Sequence, residues 1–597
     1  MSTRETIQPQ QRTANYERIG LLVLAAVLAV APLVLSNAYQ LNVLVLMAVN
    51  AILATGLAIV VRAGRLSLAQ ASFGGIGGYT TGILTTTLGM PFWLALPAGG
   101  LLAAAIGVLL GLTSLRLRGF YFAIATFTFS QLAIVILRAW TSVTGGMSGM
   151  FGLPFPTGFL GLDFSDPRQY YYLVLVVLFL AVAIYHACSR GTAFGRGLAV
   201  LGEDEVLASS LGVPATRYRL LAFALSSGIG GIGGSFGAHF IQGVSPSDIA
   251  PIVSVFVVVM VLAGGAKTLV GPLIGAIILT LVPELLRASA QWSMVFYGVF
   301  LLLYVYLFPD GLLPLAKSAF RRAVGDPPSG TASHRELALV DAATARAEAA
   351  RQNQAEGQGA DSTPIIALEN ASCAFGALKV LHGLDWSVRR GCINGLIGPN
   401  GAGKTTFFNV LTGVAPVTEG TVRWHGAPVV PVPGEMVRRG MSRTFQHARV
   451  FEDQTVADSI LLAAELSRRA VPETHLGWAL SFFNLTDVAF SRGRDLTHYQ
   501  RRLTSIAMAM ASSPELLLLD EPLAGLDDTE TRELSRKIAG LQQETGNTIL
   551  LIEHKLSEVM ELCDTLTVLD HGVIIATGTP DEVSRNSTVI EAYLGNE

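Results

Sequence analysis

The chain is 597 residues long, 51% apolar and 14% charged, with a formal net charge of -3. Its mean hydropathy of +0.50 excludes an ordinary soluble protein, and the near-neutral charge offers nucleic acid no basic surface, so no nucleic-acid partner is expected. The apolar excess lies almost entirely before about residue 316, so composition divides the chain into two unlike halves. Cys188, Cys373, Cys392 and Cys563 lack metal-ligand or redox spacing and read as reduced, buried small side chains.

Residues 1–18 form a polar arm, expected in the cytosol, and no cleavable signal is expected because a full-length apolar stretch follows. Ten apolar stretches then run from Ile19 to Leu35, Val43 to Val61, Leu68 to Leu88, Trp93 to Leu112, Phe120 to Leu137, Tyr171 to Cys188, Leu220 to Ile241, Ile252 to Leu262, Leu269 to Leu286 and Met294 to Phe308. Most are long enough to cross a bilayer. Ile252 to Leu262 is short and glycines interrupt the next junction, so eight to ten spans are expected over residues 19–316. An even count places Arg62, Arg65, Arg116, Arg118, the loop from Arg190 to Arg219, Lys267, and the exit at Lys317, Arg321 and Arg322 on the cytosolic side. It places Thr141 to Gln169 outside. The run Gly228 to Gly237 reads as close helix packing, and Glu284 and Arg287 as interfacial anchors at a span end. Residues 317–363 turn to Ala, Arg, Glu, Gln, Gly and Ser and read as a flexible linker, with a helix-competent stretch near Ala342 to Gln354.

The second half, residues 364–597, opens with a chemical signal. Gly398-Pro-Asn400-Gly401-Ala-Gly403-Lys404-Thr405 fits G-x-x-x-x-G-K-[ST], in which glycines let backbone N–H groups close around phosphates. The lysine reaches the β and γ phosphates, and the hydroxyl ligates magnesium. The run follows the strand-like Ile393 to Ile397, and Thr406 to Leu411 opens a helix whose positive end faces the anion. ATP and Mg2+ are the expected cofactors.

Further along, Leu516 to Leu519 is an apolar strand that ends in Asp520 and Glu521. Asp520 is expected to hold the magnesium shell and Glu521 to polarise the attacking water. His554, after the strand-like Thr548 to Ile552, is expected to sense the γ phosphate, and Gln446 in Arg443-Thr-Phe-Gln446 to serve both metal and water. Phe375 stands at a distance suited to stacking on adenine, although an aromatic there could equally be core.

On these residues the soluble half, residues 365 to 597, resembles the ATPase subunit of the Liv-type branched-chain amino-acid ABC importers, including its ending Val589-Ile-Glu-Ala-Tyr593-Leu-Gly. Residues 19 to 316 resemble a permease subunit of the same importers, through Ser67-Leu-Ala-Gln-Ala-Ser-Phe73-Gly-Gly-Ile-Gly-Gly-Tyr79, Leu115-Arg-Leu-Arg118-Gly-Phe-Tyr-Phe122 and Thr144-Gly-Gly-Met-Ser-Gly149. The resemblance implies a multi-domain fold: a polytopic α-helical membrane domain of about eight to ten spans, then an α/β P-loop ABC ATPase. It also implies ATP-driven import across a bacterial inner membrane, with a second permease, a second ATPase and an extracytoplasmic solute-binding protein as partners within the lipid bilayer. Asp527, in Ala524-Gly-Leu-Asp527, matches the dimer-contact loop. Branched-chain amino acids, amides and urea-like solutes remain open as substrates, and an ATP-regulated channel or signalling subunit is the alternative from another class.

Two segments carry further expectations. Where the family has Leu-Ser-Gly-Gly-Gln, this chain reads Leu496-Thr497-His498-Tyr499-Gln500. In the family the serine and glycine N–H groups there grip ATP on the opposite ATPase, so the resemblance implies two unequal ATP sites, with Tyr499 obstructing a backbone approach. Gly202-Glu203-Asp204-Glu205-Val-Leu-Ala-Ser-Ser-Leu-Gly212 resembles the coupling loop of importer permeases. It is polar, shows no apolar stripe, and is expected to dock beside Gln446 of this chain or its partner; an ordinary solvated loop is the alternative.

Overall fold

The structure is a computed structural model that describes residues 9–35, 37–117, 119–158, 162–266, 268–286, 298–299, 302–304, 306–307, 364–467, 472–554 and 556–594. Residues 1–8, the basic residues Arg118, Lys267, Arg287, Lys317, Arg321 and Arg322, and the linker with its stretch from Ala342 to Gln354 lie outside the described residues. So does much of the stretch from Met294 to Phe308. The chain forms two compact units, Met1–Gly202 with Ala215–Ala332, and Glu203–Pro214 with Ser333–Glu597.

The first unit is helical: α1 (Pro9–Val34), α2 (Ala38–Arg62), α3 (Gln70–Thr86), α4 (Phe92–Ser114), α5 (Phe120–Ala139), α6 (Pro167–His186), α7 (Ala193–Glu203), α9 (Ala215–Ile241), α10 (Pro251–Gly264) and α11 (Gly271–Leu286). Local chemistry sets several starts. The Asn37 side chain accepts from Tyr39 N to cap α2, and Asp166 accepts from Arg168 N with Pro167 in the first turn of α6, both orthodox N-terminal signals. Among the described residues, five segments, Ala38–Arg62, Phe92–Ser114, Phe120–Ala139, Pro167–Ser189 and Ala215–Ile241, are long and apolar enough to cross a membrane by length and composition; Gly20–Val34, Pro251–Gly264 and Gly271–Glu284 are shorter apolar helices. On α4 and α5, Leu94, Leu101, Leu109, Leu132 and Val135 are exposed, an outward apolar surface that lipid would cover.

The glycine run in α9 does what its composition suggests. A Cβ on Gly234 would lie 2.0 Å from the carbonyl oxygen of Gly74, and a Cβ on Gly77 would lie 2.0 Å from that of Gly231. The backbones of α3 and α9 therefore touch, which only glycine permits. Glu284 accepts a hydrogen bond from the Tyr39 hydroxyl, in keeping with an anchored span end. All four cysteines are free; three are buried, but Cys392 is only half-buried, because it sits at the entrance to a strand.

The second unit holds α8 (Glu205–Ser210) and then β1 (Ile366–Phe375), β2 (Leu378–Ser387), β3 (Ile393–Ile397), α12 (Lys404–Thr412), β4 (Glu419–Trp424), β5 (Ala427–Val429), α13 (Pro433–Arg439), β6 (Met441–Arg443), α14 (Val456–Ser467), α15 (Pro472–Phe482), α16 (His498–Met510), β7 (Leu516–Asp520), α17 (Asp528–Thr545), β8 (Thr548–Ile552), α18 (Leu556–Leu562), β9 (Thr565–Asp570), β10 (Val573–Gly578), α19 (Pro580–Ser584) and α20 (Ser587–Leu594). One sheet is six-stranded in the order β10-β9-β3-β8-β7-β6, and a four-stranded antiparallel sheet has the order β2-β1-β4-β5. In the larger sheet β9, β3, β8, β7 and β6 run parallel and β10 antiparallel. Strands β3, β7 and β8 are buried along their whole length, which is why none shows an apolar–polar alternation, and the one amide inside β3, Asn394, donates to the carbonyls of Arg389, Cys392 and Ile549. Phe407 and Phe408 of α12 join Leu396, Leu516, Leu518, Leu550 and Ile552 in the core. The packing fixes the loop before α12 over the carboxyl ends of the strands, where ligands of open α/β sheets gather.

Candidate nucleotide site

Four neighbouring strands deliver the predicted residues to one edge of the sheet. β3 leads into the phosphate loop, β8 ends before His554, β7 ends in Asp520, and β6 ends in Arg443 shortly before Gln446. The loop's glycines are needed for different reasons. A Cβ on Gly398 would come 1.9 Å from the Leu569 carbonyl oxygen, whereas Gly401, at φ +83, faces open space, leaving room for a ligand. Gly403 precedes α12 in the left-handed region and offers no side-chain cap, so the first N–H groups of the helix are not consumed by a side chain. Asn400 and Thr405 are exposed and Thr406 half-buried. Phe375 is 51% exposed, so it is available at the surface and not part of the core.

Lys404 is 6% exposed, and its Nζ donates to the carbonyl oxygens of Gly398 at 2.7 Å and Pro399 at 2.9 Å. Burial lowers its pKa and the Glu521 charge opposes that. A buried ammonium curled back over a glycine loop, with no carboxylate in ion-pair contact among the described residues, fits a phosphate.

Asp520, 3% exposed, accepts from Arg443 Nη2 at 2.7 Å through Oδ2. Arg443 also donates to Asn409 Oδ1 at 2.6 Å, and its guanidinium lies over the Phe408 and Phe445 rings. Glu521 sits at φ +46, a conformation a glutamate adopts only when its surroundings impose it. Its Oε2 accepts from Gln446 Nε2 at 2.8 Å and its Oε1 from His554 Nε2 at 2.7 Å. The three residues assigned to catalysis from sequence are therefore joined in one hydrogen-bonded row. Sequence reasoning quoted Arg443 within its motif but gave it no role, and missed two others: Glu553, whose Oε1 accepts from Leu523 N at 2.6 Å, and Arg502. A charge inside an apolar or helical stretch was the available signal. Tyr593, quoted only as part of the chain's ending, meets the backbone of Gly398.

The altered signature segment differs from expectation. Thr497 caps α16: its side chain accepts from Gln500 N and the Gln500 side chain accepts from Thr497 N. The Tyr499 hydroxyl is buried, and burial together with the charges of Glu533 and Glu530 on α17 raises its pKa. The ring thus turns to α17 because α16 packs that face inward, while His498, like Thr497, is exposed, with the His498 Cε1 3.5 Å from where a Cβ on Gly525 would stand. Leu496 is buried. Asp527 caps α17 by accepting from Thr529 N and Glu530 N, each at 2.8 Å.

Glu203–Pro214 belongs to the ATPase unit and is not a free loop. Asp204 caps α8 by accepting from Val206 N and Leu207 N, and its Oδ2 accepts from Arg449 Nη1 at 2.5 Å. Glu203 Oε1 accepts from Asp453 N at 2.9 Å, and the Gly212 carbonyl accepts from Arg438 Nη1 at 3.4 Å. Glu205 occupies the first turn of α8, as suits a helix N-terminus. Arg449 also lies over the Phe445 ring, next to Gln446. The expected absence of an apolar stripe is incorrect: Leu207, Ala208 and Leu211 are buried, at the three- and four-residue spacing that places them on one helical face.

A phosphate loop feeding a helix, a carboxylate pair at a strand end and a Gln–Glu–His row define an ATP-binding cassette, here in one chain with a set of apolar helices. Comparison with known proteins agrees for both halves. Residues 39–305 match the family described as branched-chain amino acid transport system / permease component, residues 381–524 the ABC transporter family, and residues 573–597 the branched-chain amino acid ATP-binding cassette transporter family. The ATPase half is 37% identical over 253 residues to the high-affinity branched-chain amino acid transport ATP-binding protein BraF of Pseudomonas aeruginosa, covering 39% of this chain and 99% of that protein. The first half is 34% identical over 319 residues to the high-affinity branched-chain amino acid transport system permease protein LivM of Escherichia coli, covering 50% of this chain and 75% of that protein. A solved nucleotide-free ATP-binding cassette from an ABC transporter is 30% identical, covers 39% of this chain and 100% of that one, and superposes with a TM-score of 0.36. The chain belongs to the branched-chain amino-acid ABC transporter family, as a permease fused to an ATPase.

Proposed function

We propose that this chain is one half of an ATP-driven importer of branched-chain amino acids in a bacterial inner membrane, completed by a second permease, a second ATPase and an extracytoplasmic solute-binding protein. The observation that carries the reading is the Gln446–Glu521–His554 row beside the phosphate loop, in a chain whose other half is a bundle of apolar helices. Phe375 stacks on the adenine. Backbone N–H groups of the loop from Gly398 to Gly403, with Asn400, Gly401, Thr406 and Lys404, cradle the phosphates. Thr405, Gln446 and Asp520 would hold Mg2+, which would supply positive charge against the phosphate oxygens. Glu521 orients and polarises the water, and His554 and Gln446 fix the carboxylate.

Asp527 contacts the second ATPase. The segment from Glu203 to Gly212 passes the movement of the ATPases to the membrane helices, supported by its ties to Arg449 and Arg438 and by a rigid α8 on which force can act. The two ATP sites are unequal: Lys404, Asp520 and Glu521 serve one, while the segment Leu496 to Gln500 faces the nucleotide of the partner ATPase. Uptake of labelled leucine, isoleucine and valine into proteoliposomes, with the solute-binding protein outside and ATP inside, tests the whole reading. Accumulation above the external concentration that vanadate abolishes is expected. Equilibration without accumulation would make the chain an ATP-regulated channel, and accumulation of an amide or urea alone would replace the substrate.

A further inference from the structure

The guanidinium of Arg502 is 2% exposed, yet it forms no ion pair with a carboxylate among the described residues. Its partners are all main-chain carbonyls. Nη1 donates to the oxygens of Phe445 at 3.3 Å and Gln446 at 2.8 Å, and Nη2 donates to that of Ala524 at 3.1 Å. A buried cation is costly unless it is well paired, so a site made of neutral carbonyls calls for an explanation. Burial lowers the pKa of Arg502, and the charges of Glu553, Glu521 and Asp520 oppose that. The cation therefore lies within the field of these carboxylates, while its own hydrogen bonds go to main-chain carbonyls.

The two loops it grips are the flanks of Glu521. On one side is Gln446, whose side chain donates to Glu521 Oε2. On the other is Ala524, whose N–H donates to the Glu521 carbonyl oxygen at 3.2 Å. Glu521 itself stands at φ +46, a conformation that persists only if its neighbours impose it. A guanidinium suits this task, since its fork presents donors in two directions at once, whereas a lysine ammonium reaches as a single point.

We propose that Arg502 is a positioning residue for ATP hydrolysis: anchored in α16, it clamps the Gln446 and Ala524 loops together and thereby holds Glu521 in its working geometry. It also ties α16, the helix that carries Thr497 to Gln500 at its start, to the loop that carries Gln446. This rests on the catalytic reading of Glu521 given above.

The test uses the full-length chain with its companion subunits and compares Arg502→Lys, Arg502→Gln and Arg502→Met. Each is expected to lower kcat for ATP by about tenfold while leaving KM and nucleotide binding within about twofold, the signature of lost geometry and not of lost binding. In Arg502→Met, the further change Gln446→Ala should cost far less than it does in the wild-type chain, because both act through Glu521. A purely structural arginine would lower the thermal midpoint and reduce kcat and binding together, and its effect would add to that of Gln446→Ala; either result overturns the proposal. Should Arg502→Met fail to fold, Arg502→Lys and Arg502→Gln, scored per nucleotide-binding molecule, decide it, and wild-type kcat in both refutes it. Absence of ATP hydrolysis in the wild-type complex would instead refute the catalytic reading itself.

Discussion

Helices α12 and α16 both begin at an edge of the ATPase fold, yet their first turns are finished in opposite ways. At α12 the capping position is Gly403, and no side chain accepts from the N–H groups behind it. At α16 Thr497 and Gln500 bind each other's backbone in a reciprocal capping box. An uncapped start leaves positive partial charge for an incoming anion, whereas a capping box spends part of it internally. The capping box uses the two positions that match the family's Ser and Gln, so the missing glycines act through the side chains that replace them: His498, which is exposed, and Tyr499, which turns to α17.

The largest effect is expected where the open start works. Glu521→Gln should keep ATP binding and reduce turnover by about a hundredfold or more, and Lys404→Ala should lose binding as well; nucleotide binding and phosphate release measured on the same preparation separate the two. Near-normal transport in either variant would show that the contrast has no catalytic meaning. A smaller effect is expected at the docked segment. Gly212 has φ +91, and a side chain there would point at Val437, the Leu466 carbonyl and Gly434. Gly212→Arg should leave membrane insertion intact but lower uptake per ATP by about fivefold, the low end of coupling between linked sites. Unchanged uptake per ATP would mean that force passes elsewhere.

Smaller still is the change expected at the second helix start. Replacing both His498 and Tyr499 by glycine should raise turnover at the partner's site by about twofold, the scale of a helix-terminus interaction. Disrupting the partner's own signature should silence the site built on Lys404. Site-specific nucleotide trapping reads both, and equal turnover at the two native sites would end the asymmetry argument. The mildest effect concerns pH. Burial raises the Glu553 carboxyl above its ordinary range, against the hydrogen bonds from Leu523 and His554. The folded chain keeps that proton to higher pH than the unfolded chain, so the associated stability is complete below the unfolded pKa and is lost as pH rises through the folded one. Glu553→Gln should flatten that fall in the thermal unfolding of the ATPase unit; an unaltered slope in the variant would assign it to another group.

Local pattern carried much of this protein. Continuous apolar runs declared β7 and β8, because strands covered on both faces need no polar alternation; β3, with Asn394 inside it, was declared more by the phosphate loop that follows it. The spacing Gly398 to Thr405 declared the phosphate loop, because loop, lysine and helix start are contiguous in the chain. Asp520 and Glu521 were legible for the same reason, each being tied to a strand end. Which strands lie side by side was not local. The parallel register sets Ile552 opposite Asp520 and Arg443 opposite Leu518, and only that register brings Gln446, Glu521 and His554 into one row from three separate stretches of sequence. The same holds for Arg443 on Asp520, for the carbonyl grip of Arg502, for the inward turn of Tyr499 and for the burial of Leu207 and Leu211. Each depends on a partner far along the chain, and a side chain's direction is chosen by the surface packed against it, which no local periodicity records.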